Sequence, residues 1–222
     1  MASLLERIAL CTERGKVNRD APYPPDLKGE DGADELTAQA LAEGIDPNDL
    51  LQEGLMTGMS RIGEKFGKGE AFVPDLLMAA RAMNAGMAHL KPFFEAGITR
   101  HKGTFVIGTV QGDLHDIGKN LVAMIVEGGG WEVIDLGVDV SAEKFLETIE
   151  AHPGCVVGLS ALLTTTMANM ASIVRTIKEK HPETKVLVGG APLTQDYCEK
   201  IGADHYSRDP QSALGFLAAR SS

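Results

Sequence analysis

Apolar residues in the second half of the chain form short runs separated by longer amphipathic stretches. The runs occupy residues 105–110, 131–136, 156–159, 186–188 and, more weakly, 204–206. The stretches with helical periodicity lie at 117–127, 142–151, 166–180, 194–200 and 211–219. Strands that alternate with helices in this way build a parallel sheet with helices on both faces. The pattern predicts an α/β, Rossmann-like (flavodoxin-like) domain with a doubly wound, parallel, five-stranded sheet.

The first half of the chain has a different period, in which apolar residues recur three and four positions apart. Helical segments are predicted at 3–14, at 35–43, from Pro47 to Phe66 and from Asp75 to Leu90. Asp46 and Pro47 have the residue types of an N-cap and a first helical position. Four helices with short later connections favour an all-α four-helix bundle. We therefore expect two domains, residues 1–97 and residues 98–222.

One segment of the first half has no helical pattern. Residues 20–32 contain three prolines and two glycines, which oppose regular structure. A solvated connector is one interpretation of this segment, and a loop that docks a partner protein is the other.

The composition narrows the classes of function. The chain of 222 residues has 21 Lys and Arg against 31 Asp and Glu, a formal charge of −10. Such an acidic surface argues against nucleic-acid binding, which needs basic groups to neutralise phosphates. No apolar run is long enough to span a membrane, and the charged N-terminal residues are unlike a signal peptide. Three widely spaced cysteines without a C-x-x-C pair indicate a reducing compartment, so we expect a cytoplasmic protein.

Small and hydroxylic residues follow the predicted strands, at the edge where open α/β sheets bind ligands. These stretches are 112–118 after the first strand, 137–139 after the second, 160–167 after the third and 189–192 after the fourth. The glycines let a ligand approach the backbone, and the hydroxyls offer hydrogen bonds without charge. Gly112 to Asn120 is too long for a P-loop and ends in Asn, and G-x-G-x-x-G is absent after the first strand. We expect a large, mostly neutral ligand.

His115 is the most informative residue of this edge. It lies two residues from Asp113, which could orient one ring nitrogen while the other binds a metal. A lone histidine is more often structural, and zinc sites need three or four protein ligands. One imidazole suffices as a protein ligand if a macrocycle supplies the remaining coordination.

These residues together resemble a known family. Asp113-x-His115-x-x-Gly118, followed by Ser160-x-x-x-Thr164-x-Thr166 and Gly189-Gly190, is similar to the cobalamin-binding domain of methionine synthase and of stand-alone corrinoid proteins. Those stand-alone proteins serve methyltransferases that act on methylamines, methanol, betaines and methoxy compounds. Segments 54–66 and 69–83 resemble the family's helical cap domain. The resemblance implies a cap domain followed by a cobalamin-binding Rossmann-like domain.

The resemblance also implies three roles around the cobalt of cobalamin. His115 would be its lower axial ligand, in place of the cofactor's own benzimidazole. Asp113 would accept the other ring N–H of His115, and Thr166 would hydrogen-bond Asp113. The family often has Ser where Thr166 stands, and Thr keeps the hydroxyl. This relay would couple the ligation state of cobalt to protonation.

Further residues would contact the cofactor by the same resemblance. The slot for the displaced nucleotide tail would be lined by Ser160, Thr164, Gly189 and Gly190. Three cap residues would lie over the upper, methyl-bearing face or in the bundle core: Phe72, Leu76 and Leu77. The remaining expected cofactor-binding residues are Gly112, Leu114, Asp116, Ile117, Gly118, Gly137, Val138 and Leu162.

The implied function is that of a corrinoid carrier, which is not catalytic alone. It would accept a methyl group on cob(I)alamin from a substrate-specific methyltransferase and deliver it from methylcob(III)alamin to a second methyltransferase. The acceptor of that second enzyme would be tetrahydrofolate or a thiol, and a reductive activase is a further expected partner.

Two alternatives stay open at this point. The first is an adenosylcobalamin-binding sensor or regulator on the same scaffold, although the cap has no Trp or Glu-His pair and no basic helix-turn-helix is visible. The second is a metallohydrolase that uses Asp113, His115 and Asp116, although further ligand motifs are absent.

Overall fold

The structure, a computed structural model, describes residues 2–220. Residue contacts divide the chain into two compact units. One holds the residues through His101 together with Gly128–Gly130, and the other holds Lys102–Glu127 and the residues from Trp131 onward. This division falls slightly beyond the boundary at 97/98 expected from the sequence.

The N-terminal unit is helical. α1 spans Leu4–Arg14, α2 Ala33–Ala42, α3 Pro47–Asp49, α4 Thr57–Gly67 and α5 Val73–Glu95, and a π-helical segment, Leu50–Met56, joins α3 to α4. α3, the π-helical segment and α4 are continuous and together correspond to the helix predicted from Pro47 to Phe66. The other predicted helices of this half are also found within residues 2–220. Asp46 caps α3 as expected, since its carboxylate accepts the N–H of Asn48 at 2.8 Å. The π-helical segment was not predicted, because its apolar spacing resembles that of an α-helix.

Glycines allow the helices of this unit to approach closely. A Cβ added at Gly58 in α4 would lie 2.4 Å from the carbonyl oxygen of Ala9 in α1. A Cβ at Gly86 in α5 would lie 2.6 Å from a methyl group of Leu55. The apolar stripes that the sequence predicts are buried, with at most 2% exposed, at Ile8, Leu36, Leu50, Leu55, Met59, Leu76, Met83 and Leu90. The helices therefore approach closely at these glycines and bury large apolar side chains elsewhere along their stripes.

The proline-rich segment 20–32 is ordered against the bundle. Its centre forms a short 3₁₀ turn, Pro25–Leu27, where the sequence pattern excluded regular structure; that part of the expectation is wrong. Tyr23 Oη donates to Asp75 Oδ1 in α5 at 3.1 Å, and Asp75 Oδ2 accepts the N–H of Phe72 at 2.9 Å. The segment therefore connects to the start of α5, and a role in docking a partner stays untested.

The second unit is an α/β sheet domain. Within residues 2–220 its strands are β1 Thr104–Thr109, β2 Glu132–Asp135, β3 Val156–Ser160, β4 Lys185–Gly189 and β5 His205–Ser207. Its helices are α6 Ile117–Gly128, α7 Ala142–Ala151, α8 Met167–Lys180, α9 Gln195–Ile201 and α10 Pro210–Ala218. All neighbouring strands pair in parallel, in the order β2-β1-β3-β4-β5. The predicted flavodoxin-like, doubly wound sheet is confirmed.

The sheet is apolar on both faces, which explains the near-continuous apolar runs. Successive side chains of a strand point to opposite faces. Val106 and Val157 accordingly pack in one cluster with Phe145, whereas Phe105 packs in the other with Trp131. None of the helices within residues 2–220 combines the length and the apolar character needed to cross a bilayer.

Asp204 connects three elements of this unit. Its carboxylate accepts hydrogen bonds from Lys178 Nζ in α8, from Lys185 Nζ at 2.9 Å and from the N–H of Val186 at 2.8 Å. Burial raises the pKa of Asp204, but these hydrogen bonds outweigh that effect and lower the pKa below its ordinary value. The ionised carboxylate therefore stabilises the folded state. This contribution is present above the unfolded-state pKa of about 3.9 and is lost as the pH falls through the folded-state value.

We expect Asp204→Asn to lower the free energy of unfolding at neutral pH by about 1–3 kcal/mol, because two lysines lose their counter-ion. The free energy of unfolding of the variant should also fall less steeply than that of the wild type below about pH 4. Urea unfolding followed by circular dichroism at a series of pH values measures both effects. The control is Glu147→Gln, which removes an exposed pair with Lys144 and should cost less than about 0.5 kcal/mol. Equal acid slopes for wild type and Asp204→Asn would contradict the assignment.

Candidate functional site

The candidate site lies at the carboxyl ends of β1 and β3, the point where the strand order reverses. The chain leaves the end of β1 toward β2 on one side and leaves the end of the neighbouring strand β3 toward β4 on the other side. Two loops meet there, residues 110–116 after β1 and residues 161–166 after β3. Ligands of open α/β sheets bind in the crevice at such a switch point.

Asp113 is the buried centre of the site, with 0% of the residue exposed. Its Oδ1 accepts the ring Nδ1–H of His115 at 2.8 Å and the backbone N–H of the same residue at 3.1 Å. Its Oδ2 accepts the N–H groups of Leu162 and Leu163, at 2.8 and 3.2 Å, and the hydroxyl of Thr166 at 2.7 Å. The carboxylate thus joins the β1 loop to the β3 loop.

These hydrogen bonds determine the ionisation of Asp113. Burial alone would raise the pKa of this carboxyl, but the hydrogen bonds from Thr166, His115 and Leu162 hold its pKa well below the ordinary value. An ionised carboxylate only accepts hydrogen bonds, so the proton of the contact with His115 resides on Nδ1. In the neutral imidazole with this tautomer, Nε2 carries a free lone pair. The site presents one imidazole nitrogen prepared for a metal.

The hydroxyl of Thr166 has two acceptors within reach but a single proton. Oγ1 lies 2.7 Å from Asp113 Oδ2 and 2.9 Å from the carbonyl oxygen of Leu163. The contact with Asp113 is shorter and has a charged acceptor, so the proton points to Asp113. The hydrogen bonds expected between Thr166, Asp113 and His115 are therefore all present in the structure.

The backbone of His115 is fixed from a third direction. The hydroxyl of Thr109, a buried residue at the end of β1, donates to the carbonyl oxygen of His115 at 2.9 Å. The His115 side chain is nevertheless 50% exposed, so the ring projects from the edge while its base is anchored. This is the geometry of an imidazole that is oriented by the protein and open to a ligand.

Apolar side chains are exposed around this imidazole. Four loop residues at this edge and the first residue of α6 are apolar and at least 37% exposed: Leu114, Val138, Leu162, Leu163 and Ile117. Exposed apolar patches of this kind mark sites where a ligand or partner covers the surface. A broad, flat macrocycle with a central metal fits an apolar surface from which one nitrogen donor projects, so the residues present suit a corrin ring.

The residues expected to line the nucleotide slot lie at the ends of β3 and β4. Ser160 and Gly189 are register partners, and the N–H of Ala161 donates to the carbonyl oxygen of Gly189 at 3.2 Å. Gly190 has φ +136°, and a Cβ there would lie 1.8 Å from the carbonyl oxygen of Ala161. Thr164 is exposed in the β3 loop. The two loops pass so closely that only glycine fits at residue 190.

The other predicted residues of this unit have distinct places. Gly112 forms the turn before Asp113 with φ +85°, and Gly118 lies in the first turn of α6. Asp116 is exposed, and its Oδ2 accepts the side-chain amide of Asn120 at 3.1 Å. Gly137, with φ +84°, begins the loop after β2, and its carbonyl oxygen accepts the N–H of Thr109 at 2.9 Å. Three of these residues therefore belong to the loops at the same edge, and Gly118 begins the helix that follows one of them.

The three predicted cap residues belong to the N-terminal unit and differ in exposure. Phe72 precedes α5 and is 68% exposed, and Leu77 is 38% exposed. Leu76 is fully buried. Phe72 and Leu77 have apolar surface available for a ligand, whereas the burial of Leu76 agrees with the bundle-core alternative.

Sequence reasoning missed several residues that hold the site. Leu163 contributes a backbone N–H, which no side-chain motif can reveal. Asn169 Nδ2 in α8 donates to the carbonyl oxygen of Gln111 at 2.8 Å, and Asp139 accepts the N–H of Gly112 at 2.7 Å. Asp139 does follow the predicted residues Gly137 and Val138, so its position after a strand was a usable signal.

The metallohydrolase alternative lacks a set of ligands. Within residues 2–220, no three His, Cys, Asp or Glu side chains are grouped so that they could hold a metal ion. Asp116 bonds Asn120 rather than approaching the His115 ring as a further ligand.

Comparisons with known proteins agree with this geometry. Residues 103–214 match the B12 binding domain, and residues 29–91 match a second B12 binding domain family. The trimethylamine corrinoid protein of Methanosarcina barkeri is 44% identical over 191 residues, which cover 84% of this chain and 88% of that protein. The chain belongs to the B12-binding corrinoid proteins. Cobalamin, with its cobalt, is therefore the cofactor of this corrinoid protein, as the resemblance implied.

Further relatives of this corrinoid protein have the same character. The dimethylamine corrinoid protein of Methanosarcina barkeri is 40% identical and covers 77% of this chain and 81% of its own length. A chain of the methanol:cobalamin methyltransferase complex MtaBC from Methanosarcina barkeri matches with a TM-score of 0.83 and 29% identity, covering 98% of this chain and 79% of that one. A cobalamin-binding protein from Desulfitobacterium hafniense DCB-2 matches with a TM-score of 0.72 and 28% identity, covering 99% and 98%.

Proposed function

We propose that this corrinoid protein carries methyl groups between two methyltransferases, and that the first of them acts on a methylated amine. The single observation that supports the carrier role most strongly is the buried Asp113, which accepts the Nδ1–H of a half-exposed His115. Relatives named for trimethylamine and dimethylamine, at 44% and 40% identity, support the amine. The second methyltransferase would pass the methyl group to tetrahydrofolate or a thiol. A reductive activase would reduce any cofactor that has become oxidised.

The residues of the site have complementary tasks in this proposal. Bound cobalamin supplies a cobalt centre that takes up and releases a methyl group. Nε2 of His115 is the group that would bind that metal, and Asp113 keeps the ring in the required tautomer. Thr166 and the N–H groups of Leu162 and Leu163 keep Asp113 ionised and immobile. The exposed leucines and Ile117 exclude water from the surface that the corrin covers.

The first test is coordination by His115. The protein is loaded with hydroxocobalamin, freed of excess cofactor and reduced to the Co(II) state, and its EPR spectrum is recorded with natural and with ¹⁵N-labelled histidine. We expect roughly stoichiometric retention and a nitrogen hyperfine pattern that changes on labelling, because nitrogen of the protein binds the metal. His115→Ala should abolish the label-dependent change and weaken retention about 10–100-fold.

His152→Ala is the matched control, since His152 follows α7 and none of its described contacts involve Asp113. His152→Ala should retain as much cobalamin as the wild type and show the same label-dependent hyperfine pattern. If the nitrogen hyperfine pattern of the wild type does not change on histidine labelling, ligation of the metal by His115 is refuted. Transfer of the methyl group is then measured by reducing the loaded protein further, to the Co(I) state, and mixing it with trimethylamine and a methylamine methyltransferase. Methylation without such an enzyme would contradict the carrier role.

A further inference from the structure

Asp139 has an unusual backbone conformation for its residue type. Its φ is +55°, and among residues 2–220 it is the one non-glycine residue with a positive φ. Residues with a Cβ adopt this left-handed conformation only with steric strain, and Asn and Asp tolerate it best. Such a residue persists where the surrounding contacts compensate for the strain.

The contacts of Asp139 all lead to the turn that carries Asp113. Its Oδ1 accepts the N–H of Gly112 at 2.7 Å, and its own N–H donates to the carbonyl oxygen of Asp113 at 3.0 Å. Asp139 thus binds the two peptide groups that flank the link between Gly112 and Asp113. It forms no ion pair with a Lys, Arg or His in the described part of the chain. Its carboxylate therefore serves the backbone of the turn rather than a neighbouring cation.

The segment that carries Asp139 is itself attached to β1. The N–H of Thr109 donates to the carbonyl oxygen of Gly137, and the N–H of Val140 donates to the carbonyl oxygen of Thr109, each at 2.9 Å. Residues 137–140 consequently extend the sheet alongside the end of β1. They are a rigid base from which Asp139 can hold the turn.

The position of this turn decides where the Asp113 carboxylate lies. Gly112 changes the chain direction with φ +85°, and the side chain of the next residue enters the interior. A displacement of the turn by an ångström would stretch the contact between Asp113 Oδ1 and His115 Nδ1, which is 2.8 Å long. Hydrogen bonds weaken steeply beyond their normal length.

We propose that Asp139 is a positioning residue that holds the Gly112–Asp113 turn, so that Asp113 orients His115 for the cofactor. The proposal rests on the proposed function, since orientation matters to the carrier through the metal. Asp139 acts through the turn and does not itself contact the cofactor. The left-handed backbone is retained because it aims the N–H and the carboxylate of one residue at the two peptide groups that flank the Gly112–Asp113 link.

Three substitutions at Asp139 distinguish the effect of its side chain from the effect of its backbone conformation. Asp139→Asn keeps an Oδ1 acceptor in a residue type that tolerates positive φ. Asp139→Gly keeps the backbone conformation without strain but removes the acceptor. Asp139→Ala removes the acceptor and keeps the strain. The matched control is Asp209→Gly, which also removes a carboxylate that accepts a backbone N–H, that of Ser212 at 2.8 Å.

The first readout uses the cofactor-free protein. Amide hydrogen exchange of Gly112 should be about tenfold faster in Asp139→Gly and Asp139→Ala than in wild type, and unchanged in Asp139→Asn and Asp209→Gly. The ¹⁵N shifts of the His115 ring should show the Nδ1–H tautomer in wild type and Asp139→Asn, and a mixture of tautomers in Asp139→Gly. This readout stays informative even if the proposed metal ligation fails.

The second readout uses protein loaded with cobalamin. The fraction of cofactor with label-dependent histidine coordination should fall in Asp139→Gly and recover in Asp139→Asn, while the thermal midpoint changes little. Wild-type tautomer and coordination in Asp139→Gly would overturn the proposal, because the side chain would then be dispensable. The Asp139 variants could give the expected exchange rates and tautomers in the cofactor-free protein while the loaded wild type shows no histidine coordination. That combination would refute the proposed function and leave Asp139 as the residue that orients His115.

Discussion

Replacing Asp113 with Ala should lower the free energy of unfolding of the sheet unit by about 3–5 kcal/mol. Five hydrogen bonds converge on this fully buried carboxylate, and the donors come from His115, Leu162, Leu163 and Thr166. Without the carboxylate these donors are left without an acceptor in the interior, which costs more than the bonds contributed. Thermal and urea unfolding of the cofactor-free protein measure the loss.

Asp113→Asn tests the same site without a change of size. Oδ1 and Oδ2 each accept from at least two donors, so an amide NH₂ placed at either position would face other donors. We therefore expect Asn to recover little of the stability lost in Ala. The control Glu183→Gln changes an exposed carboxylate in the turn between α8 and β4 and should stay within about 0.5 kcal/mol. An Asp113→Asn variant as stable as wild type would contradict this account.

Gly190→Ala should have the second large effect, a loss of about 3–5 kcal/mol. The added Cβ would lie 1.8 Å from the carbonyl oxygen of Ala161, and φ at this position is +136°. Because the obstacle is backbone, no side-chain rotation can relieve it, and the loops after β3 and β4 must separate. We expect a lower midpoint in thermal unfolding and weaker cobalamin retention, since the predicted tail slot lies between these loops.

Gly202→Ala provides the matched control for Gly190. Gly202 ends α9 with φ +77°, and nothing lies within 4 Å of an added Cβ. It should cost about 1–2 kcal/mol from the backbone conformation alone. Equal losses in the two variants would show that contact with Ala161 contributes nothing.

Much of the fold was predictable because its signals are local. The five apolar runs and the intervening helices were placed within a few residues of their ends, since burial on both faces gives a parallel strand a continuous apolar run. The exceptions were also informative. The π-helical segment Leu50–Met56 packs against α1 and α5, and Asp26 in the turn Pro25–Leu27 pairs with Arg14 of α1. Such tertiary contacts leave no periodic signal in the sequence.

The candidate site divides in the same way. Asp113, His115 and Thr166 were found because they belong to one spaced motif whose side chains carry the chemistry. The supporting amides of Leu162 and Leu163 were not found as donors, since any residue has an N–H. Residues 137–139 were placed at this edge, but Asp139 was not singled out, because its contact with Gly112 joins two distant segments and no local motif shows it.

The sequence by itself determined the helical half, the alternating α/β half, the family and the residues of the His115 motif. These follow from short-range periodicity and from a motif whose members keep their spacing whatever the packing. Only the tertiary structure showed that the N–H groups of Leu162 and Leu163, 49 and 50 positions away, also hold Asp113 beside the expected hydroxyl of Thr166. It also decided that Asp139 reaches Gly112 and that residue 190 has room for no side chain. Such contacts arise when strands distant along the chain become neighbours in the sheet, and no local pattern encodes their distances.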